Sequence, residues 1–105
     1  MDVAKDRRRR PPALLLVDMI NLFDFPDGSA MATAARRITP ALVRLRARFD
    51  RAGAPVIHVN DNFAQWRGEF RDLVASCVEA GGIPAEIATR LAPQPQHYHV
   101  LKPKH

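Results

Sequence analysis

Ala13-Leu14-Leu15-Leu16-Val17-Asp18 is an apolar run of strand length that ends on a carboxylate. A loop rich in turn residues follows, Phe23-Asp24-Phe25-Pro26-Asp27-Gly28, and then a helical pattern. The run does not alternate, which predicts a strand buried on both faces of a parallel sheet. In open α/β sheets, ligands bind beyond the carboxyl ends of the strands, so Asp18 is a candidate for chemistry.

Working outward, Pro11-Pro12 stops any preceding helix. Ser29 is a candidate cap for a short helix over 30–37. Thr39-Pro40 reads as a second helix start, with Thr39 at the N-cap and Pro40 at the first helical position. Leu42, Val43, Leu45 and Phe49 then recur at helical spacing, while Arg44, Arg46, Arg48 and Arg51 are expected mostly to face water. Gly53 is the expected stop. Pro55 to Asn60 forms the second predicted strand, with Asp61-Asn62 as its loop. Phe70, Leu73, Val74, Cys77 and Val78 make another helical stripe, closed by Gly81-Gly82. A short helix is expected over 85–91, and the third strand over 97–101, running up to Lys102. The order β-α-β-α-β implies a parallel sheet with right-handed crossovers. An acid and a lysine then stand at the same end of two strands. This is half of a doubly wound sheet, and one edge of the first strand has no partner in it. The chain reads as stopping mid-domain.

At 105 residues the chain has room for one domain, and 47% hydrophobic residues fit a globular fold. No apolar run approaches the roughly 18 residues of a membrane span, and no signal peptide is visible. A cytoplasmic location is therefore expected, in keeping with a single cysteine, Cys77. Of the net charge of +5, residues 1–12 carry +3, from five basic and two acidic residues. They read as a basic disordered tail, preferred over an anion-binding arm because no aromatic residues are interleaved with the arginines. Cys77 lies on an apolar helix stripe and reads as a small buried hydrophobe. His58, between Ile57 and Val59, reads as packed.

Three segments in order resemble the isochorismatase-like cysteine hydrolases: Leu14 to Phe23 (LLLVDMINLF), Pro55 to Trp66 (PVIHVNDNFAQW) and Val100 to His105 (VLKPKH). The resemblance implies a three-layer α/β/α Rossmann-like fold, of which residues 13–105 are the N-terminal part, the first β-α-β-α-β half. It implies a Cys-Asp-Lys triad, with Asp18 and Lys102 as catalytic residues, Lys104 as a rival to Lys102, and the Cys in the second half beyond His105. Asn21, Phe23, Asn60, Asp61 and Trp66 are the expected substrate-binding residues, with Asn21 also suited to shaping its loop through an Asx-type bond. Some relatives hold a metal through an Asp-x-His pair. Asp61-Asn62-Phe63 puts a phenylalanine at that histidine, so no metal and no cofactor are expected. The implied function is hydrolysis of a small amide-like or related substrate, with this chain inactive alone. The alternative is a non-catalytic interaction module that uses the free sheet edge. A small-molecule substrate is the expected partner, with room for a homo-oligomer, and neither nucleic acid nor membrane is expected.

Overall fold

The computed structural model describes residues 12–61 and 69–102. The chain runs β1 (Leu14–Val17), α1 (Gly28–Arg51), β2 (Val56–Asp61), α2 (Phe70–Ala80), α3 (Gly82–Leu91) and β3 (Tyr98–Lys102). The tail expected over 1–12 lies almost wholly outside the described residues. The three strands form one parallel sheet in the order β1-β2-β3. Leu14 pairs with Val56 and Val17 with Val59, while Ile57 pairs with Tyr98 and Asp61 with Lys102. The α/β class and parallel topology expected from the sequence are present.

Both crossovers step in the same direction across the sheet. Right-handed connections then place α1, α2 and α3 on one face. The strands confirm this by period two. Leu16, Val56, His58 and Asn60 are buried beneath the helices, whereas Leu15, Val17, Tyr98 and Val100 on the opposite face are exposed. The expectation that β1 is buried on both faces is therefore corrected. Within these residues the fold has two layers, and the second face of the sheet is bare. The core joins Leu16, Ile20 and Val56 to Phe70, Leu73, Cys77, Ile87, Ala88 and Leu91 from α2 and α3.

The two helices expected over 30–37 and from Thr39 onward are one 24-residue helix that runs through Pro40. Thr39 does not cap. It is 1% exposed, and its hydroxyl donates to the Ala35 carbonyl at 2.8 Å. Proline removes one helical hydrogen bond, but Ala32, Ala35 and Thr39 before it and Leu42, Val43 and Phe49 after it pack on the same layer. That continuous stripe overrides the local stop signal. The start is also two residues earlier than Ser29 would place it. Asp27 is the N-cap, in the left-handed region with φ 65°, and makes no side-chain cap. Gly28 is required here because a Cβ would lie 2.0 Å from the Phe23 carbonyl oxygen. Helix α1 ends at Arg51 with Gly53 two residues on at φ 71°, as expected.

Arg46 does not face water. It is buried at 5% exposure and donates to the carbonyls of Ala92 and Arg90, both at 3.0 Å, tying α1 to the end of α3. Helix α3 begins at Gly82 rather than Ala85, because Pro84 falls in its first turn, where the missing N–H costs nothing. Each strand is also displaced slightly from its expected bounds. β2 reaches Asp61, which belongs to the ladder rather than to a loop.

Candidate active site

The carboxyl edge of the sheet gathers three charged side chains. Asp18 leaves β1 in the left-handed region at φ 57°. Its own N–H donates to the Val59 carbonyl at 2.8 Å, while its Oδ1 accepts from the Asp61 N–H at 3.0 Å. The carboxylate is thus clamped against the end of β2 by backbone hydrogen bonds. Lys102, paired with Asp61 in the ladder, brings its Nζ to 3.3 Å from Asp61 Oδ1 and 3.7 Å from Asp18 Oδ2. The hydrogen bond that the Lys102 ammonium donates to Asp61, with the charges of Asp18 and Asp61, holds that ammonium above the ordinary lysine range against a smaller opposing effect of desolvation. Asp18, Asp61 and Lys102 are 36%, 39% and 41% exposed at the side chain, so all three remain open to a ligand or a further protein segment.

Behind them, the loop 18–27 is built by asparagines. Asn60 is 1% exposed, and its side-chain amide donates to the Ile20 carbonyl. Asn21 is buried, and its Oδ1 accepts from the Phe23 N–H at 2.7 Å, an Asx-type bond. That bond holds Phe23 at φ 57°, a conformation uncommon for a bulky side chain. Phe23 and Phe25 face one another with ring centroids 6.5 Å apart. With Met19, Met31 and Ile38 they line an apolar groove that reaches Asp18.

The structure therefore brings Asp18, Lys102 and Asp61 into contact, seats Phe23 and the largely buried Asn21 on a groove that opens onto Asp18, and puts Asn60 in the scaffold beneath. Trp66, Phe63 and Lys104 lie outside the described residues. Cys77 is elsewhere, fully buried in the core on the inner face of α2. Burial, with a smaller contribution from the Asp24 charge, pushes its thiol up to about 11. Among the described residues, no cluster of three or more His, Cys, Asp or Glu could hold a metal. No described helix is long and apolar enough to cross a membrane. A second cleft, between α2 and β3, is lined by Phe70, Val74, Pro93, His97 and His99 and contains none of these site residues.

Sequence reading missed the central place of Asp61 between Asp18 and Lys102. The signal was available: Asp61 follows Asn60 at the end of a strand, so a one-residue extension of β2 puts it level with Lys102.

The family model of the isochorismatase domain matches residues 12–105. The chain belongs to the isochorismatase family. It is 32% identical over 93 residues to an uncharacterized isochorismatase family protein, YaaI, from Bacillus subtilis (strain 168). That match covers 89% of this chain and 50% of the relative, so this isochorismatase-family chain spans about half the length of the curated relative it matches. No solved structure matches it.

Proposed function

We propose that the chain carries the acid–base and cationic half of a cysteine-dependent hydrolase acting on small amide-like substrates. The observation that carries the reading is the Lys102 ammonium 3.7 Å from the Asp18 carboxylate at the carboxyl edge of the sheet. In this reading Asp18 takes the proton of an attacking thiol. The sulfur forms a bond to the substrate carbonyl carbon, and Asp18 returns the proton to the amine as the C–N bond breaks. Water then cleaves the thioester. Asp18 accepts its proton and passes it back to the departing sulfur. Lys102 favours the thiolate electrostatically and holds the Asp18 carboxylate in place. Asp61 shares the lysine and fixes Asp18 through its N–H, and Phe23 walls the groove that receives the apolar part of the substrate. Asn21 and Asn60 act as positioning residues for the loop.

The thiol comes from outside these 105 residues, since Cys77, their only cysteine, is sealed in the core with a raised pKa. A reducing, cytoplasmic compartment suits a catalytic thiol of this kind. The test joins this chain to the unmatched half of the Bacillus subtilis relative and screens small amides. Asp18→Asn keeps the shape but cannot accept a proton, so turnover should fall by about 10²- to 10⁴-fold. Lys102→Ala should raise the pH midpoint for alkylation of the reacting thiol. Near-full activity in Asp18→Asn, or an unmoved midpoint in Lys102→Ala, overturns the assignment.

A further inference from the structure

Lys102 stands between two carboxylates, and the register of the sheet decides which of them holds it. Lys102 and Asp61 are partners in the ladder between β2 and β3. Directly opposed residues of this kind project to the same face as close neighbours. Asp18 is one strand further away, and it leaves the ladder after Val17 by turning at φ 57°. The distances follow this order. Lys102 Nζ is 3.3 Å from Asp61 Oδ1 and 3.7 Å from Asp18 Oδ2, the second too long for an ordinary hydrogen bond. The bond to Asp61 is accordingly the largest influence on the Lys102 ammonium, and the charge of Asp18 is a smaller one.

Other charged and titratable groups lie at this end of the molecule. Among the described residues they are Asp24 and Asp27 in the β1–α1 loop, His99 in β3, and Glu69, Arg71 and Asp72 at the start of α2. Glu69 pairs with Arg71 at 2.8 Å, and Asp72 accepts from the Glu69 N–H at 2.9 Å. None of these groups contributes to the shift of Lys102. Asp18, Asp61 and Lys102 therefore form a cluster of their own, with one negative charge left over.

That surplus charge bears on Asp18 as a base. A carboxylate binds a proton more readily beside a like charge, and less readily when an ammonium is bonded to it. A lysine bonded directly to Asp18 would make it a poor acceptor for a thiol proton. Asp61 opposes this twice over, because it supplies the like charge and takes up the hydrogen bond of the lysine. Its own N–H meanwhile fixes Asp18 Oδ1 at 3.0 Å, so that Asp18 keeps its place without needing the lysine as a clamp.

We propose that Asp61 is a positioning residue that draws the Lys102 hydrogen bond to itself, leaves Asp18 only the more distant charge, and so preserves Asp18 as the proton acceptor. The inference rests on the hydrolase reading for the role of Asp18, but not for the pairing of Lys102 with Asp61.

The pairing is tested in the 105-residue chain by following the Lys102 side chain with carbon NMR as the pH is raised. Asp61→Asn should lower the midpoint of the ammonium by about one pH unit, and Asp18→Asn should lower it by less. Asp61→Glu keeps the charge and should restore most of the shift. Asp61→Ser removes the same charge and repeats the comparison if the asparagine variant does not fold. An equal or larger drop in Asp18→Asn overturns the proposal, since Lys102 then belongs to Asp18. The consequence for Asp18 is tested in a fusion with the unmatched half of the Bacillus subtilis relative. Asp61→Asn should move the acid limb of kcat/KM to lower pH by about one unit, and Asp61→Glu should move it back. An unmoved limb overturns the proposal, as does a loss of activity that is uniform across the pH range, which marks a merely structural role. A parent fusion that carries a free thiol yet hydrolyses no amide overturns the hydrolase reading, and the lysine titration still decides the pairing.

Discussion

His58 shows what a single residue costs this fold. It is 1% exposed in the middle of β2, edge-on to Phe70 and 5.3 Å from the His97 ring, and its Nε2 has no hydrogen-bond partner among the described residues. His97, by contrast, is fully placed. Its Nδ1 accepts from the Gln94 N–H, which leaves Nε2–H to donate to Asp50 at 2.9 Å. Burial, together with the charges of Arg46 and the neighbouring histidines, drives His58 down to about 4, against some offset from Asp50. An unfolded chain would titrate this histidine near 6.5. Between those values the unfolded state binds the extra proton. The stability that neutral His58 contributes is therefore complete above pH 6.5 and lost as the pH falls towards 4, amounting to about 3 kcal/mol. Urea unfolding at pH 7 and pH 4 should show that loss in the parent and much less of it in His58→Leu. Equal losses in the two proteins would refute the assignment. The alternation of His58 with Ile57 and Val59 made its burial legible from the sequence. Its unpaired nitrogen was not, because hydrogen-bond partners depend on what α2 and the 92–97 segment bring across.

Among the elements, α1 separates what local signals can and cannot decide. The glycine stops at Gly53 and Gly81 were readable, since each takes a positive φ that other residues adopt at a cost. The Thr39-Pro40 pair reads as a boundary for equally sound local reasons, yet the apolar stripe on both sides of it holds one helix together. Arg46 sits four residues after Leu42 on that same stripe, so its burial was implicit in the spacing but contradicted by its charge. Two carbonyls at the end of α3 resolve the contradiction. The ends of β1 and β3, and with them Asp18 and Lys102, were legible because strand ends are punctuated by loop residues. Asp61 was misplaced by a single residue, an error that matters because a ladder position fixes which neighbour a side chain meets. The junction between the Asp18 loop and α1 depends on Gly28. In Gly28→Ala the new methyl would meet the Phe23 carbonyl at 2.0 Å, and backbone cannot yield as a flexible side chain would. Overpacking of this kind costs about 1–3 kcal/mol, so the melting temperature should fall. The Phe23 amide resonance should also shift as the loop moves. An unchanged melting temperature would show that the loop tolerates displacement freely.

For the whole molecule, the cysteine reports on the integrity of one face only. Cys77 sits on the inner face of α2 with no exposed surface and a thiol pushed up to about 11, so a thiol reagent can reach it only when the helical layer lifts from the sheet. Its labelling in the native protein should be slow, and the rate should climb with urea in parallel with global unfolding. Fast labelling without denaturant would mean that the helices open independently of the strands. The bare face on the other side of the sheet was only partly legible. The unpaired edge of β1 followed from the order of elements, but the uncovered side chains emerged only once both crossovers were seen on one side.

The register of the sheet also bears on how the molecule assembles. Leu14 meets Val56 across 42 residues of chain, and Ile57 meets Tyr98 across 41. Loop-closure entropy depends only on the logarithm of these lengths, so it gives neither pairing precedence. What distinguishes them is the intervening chain. One crossover is spanned by a single 24-residue helix, the other by helices of 11 and 10 residues broken at Gly81-Gly82. A long helix pays its nucleation cost once and shortens the effective search more than two short ones. The β1-α1-β2 unit is therefore expected to condense first, with β3 added to a ready-made pair, an order that pulsed hydrogen exchange during refolding would check by earlier protection of the β1 amides than of the β3 amides. In that order Lys102 would be the last member of its cluster to arrive, and until then the two aspartates at the sheet's end would face each other without its charge.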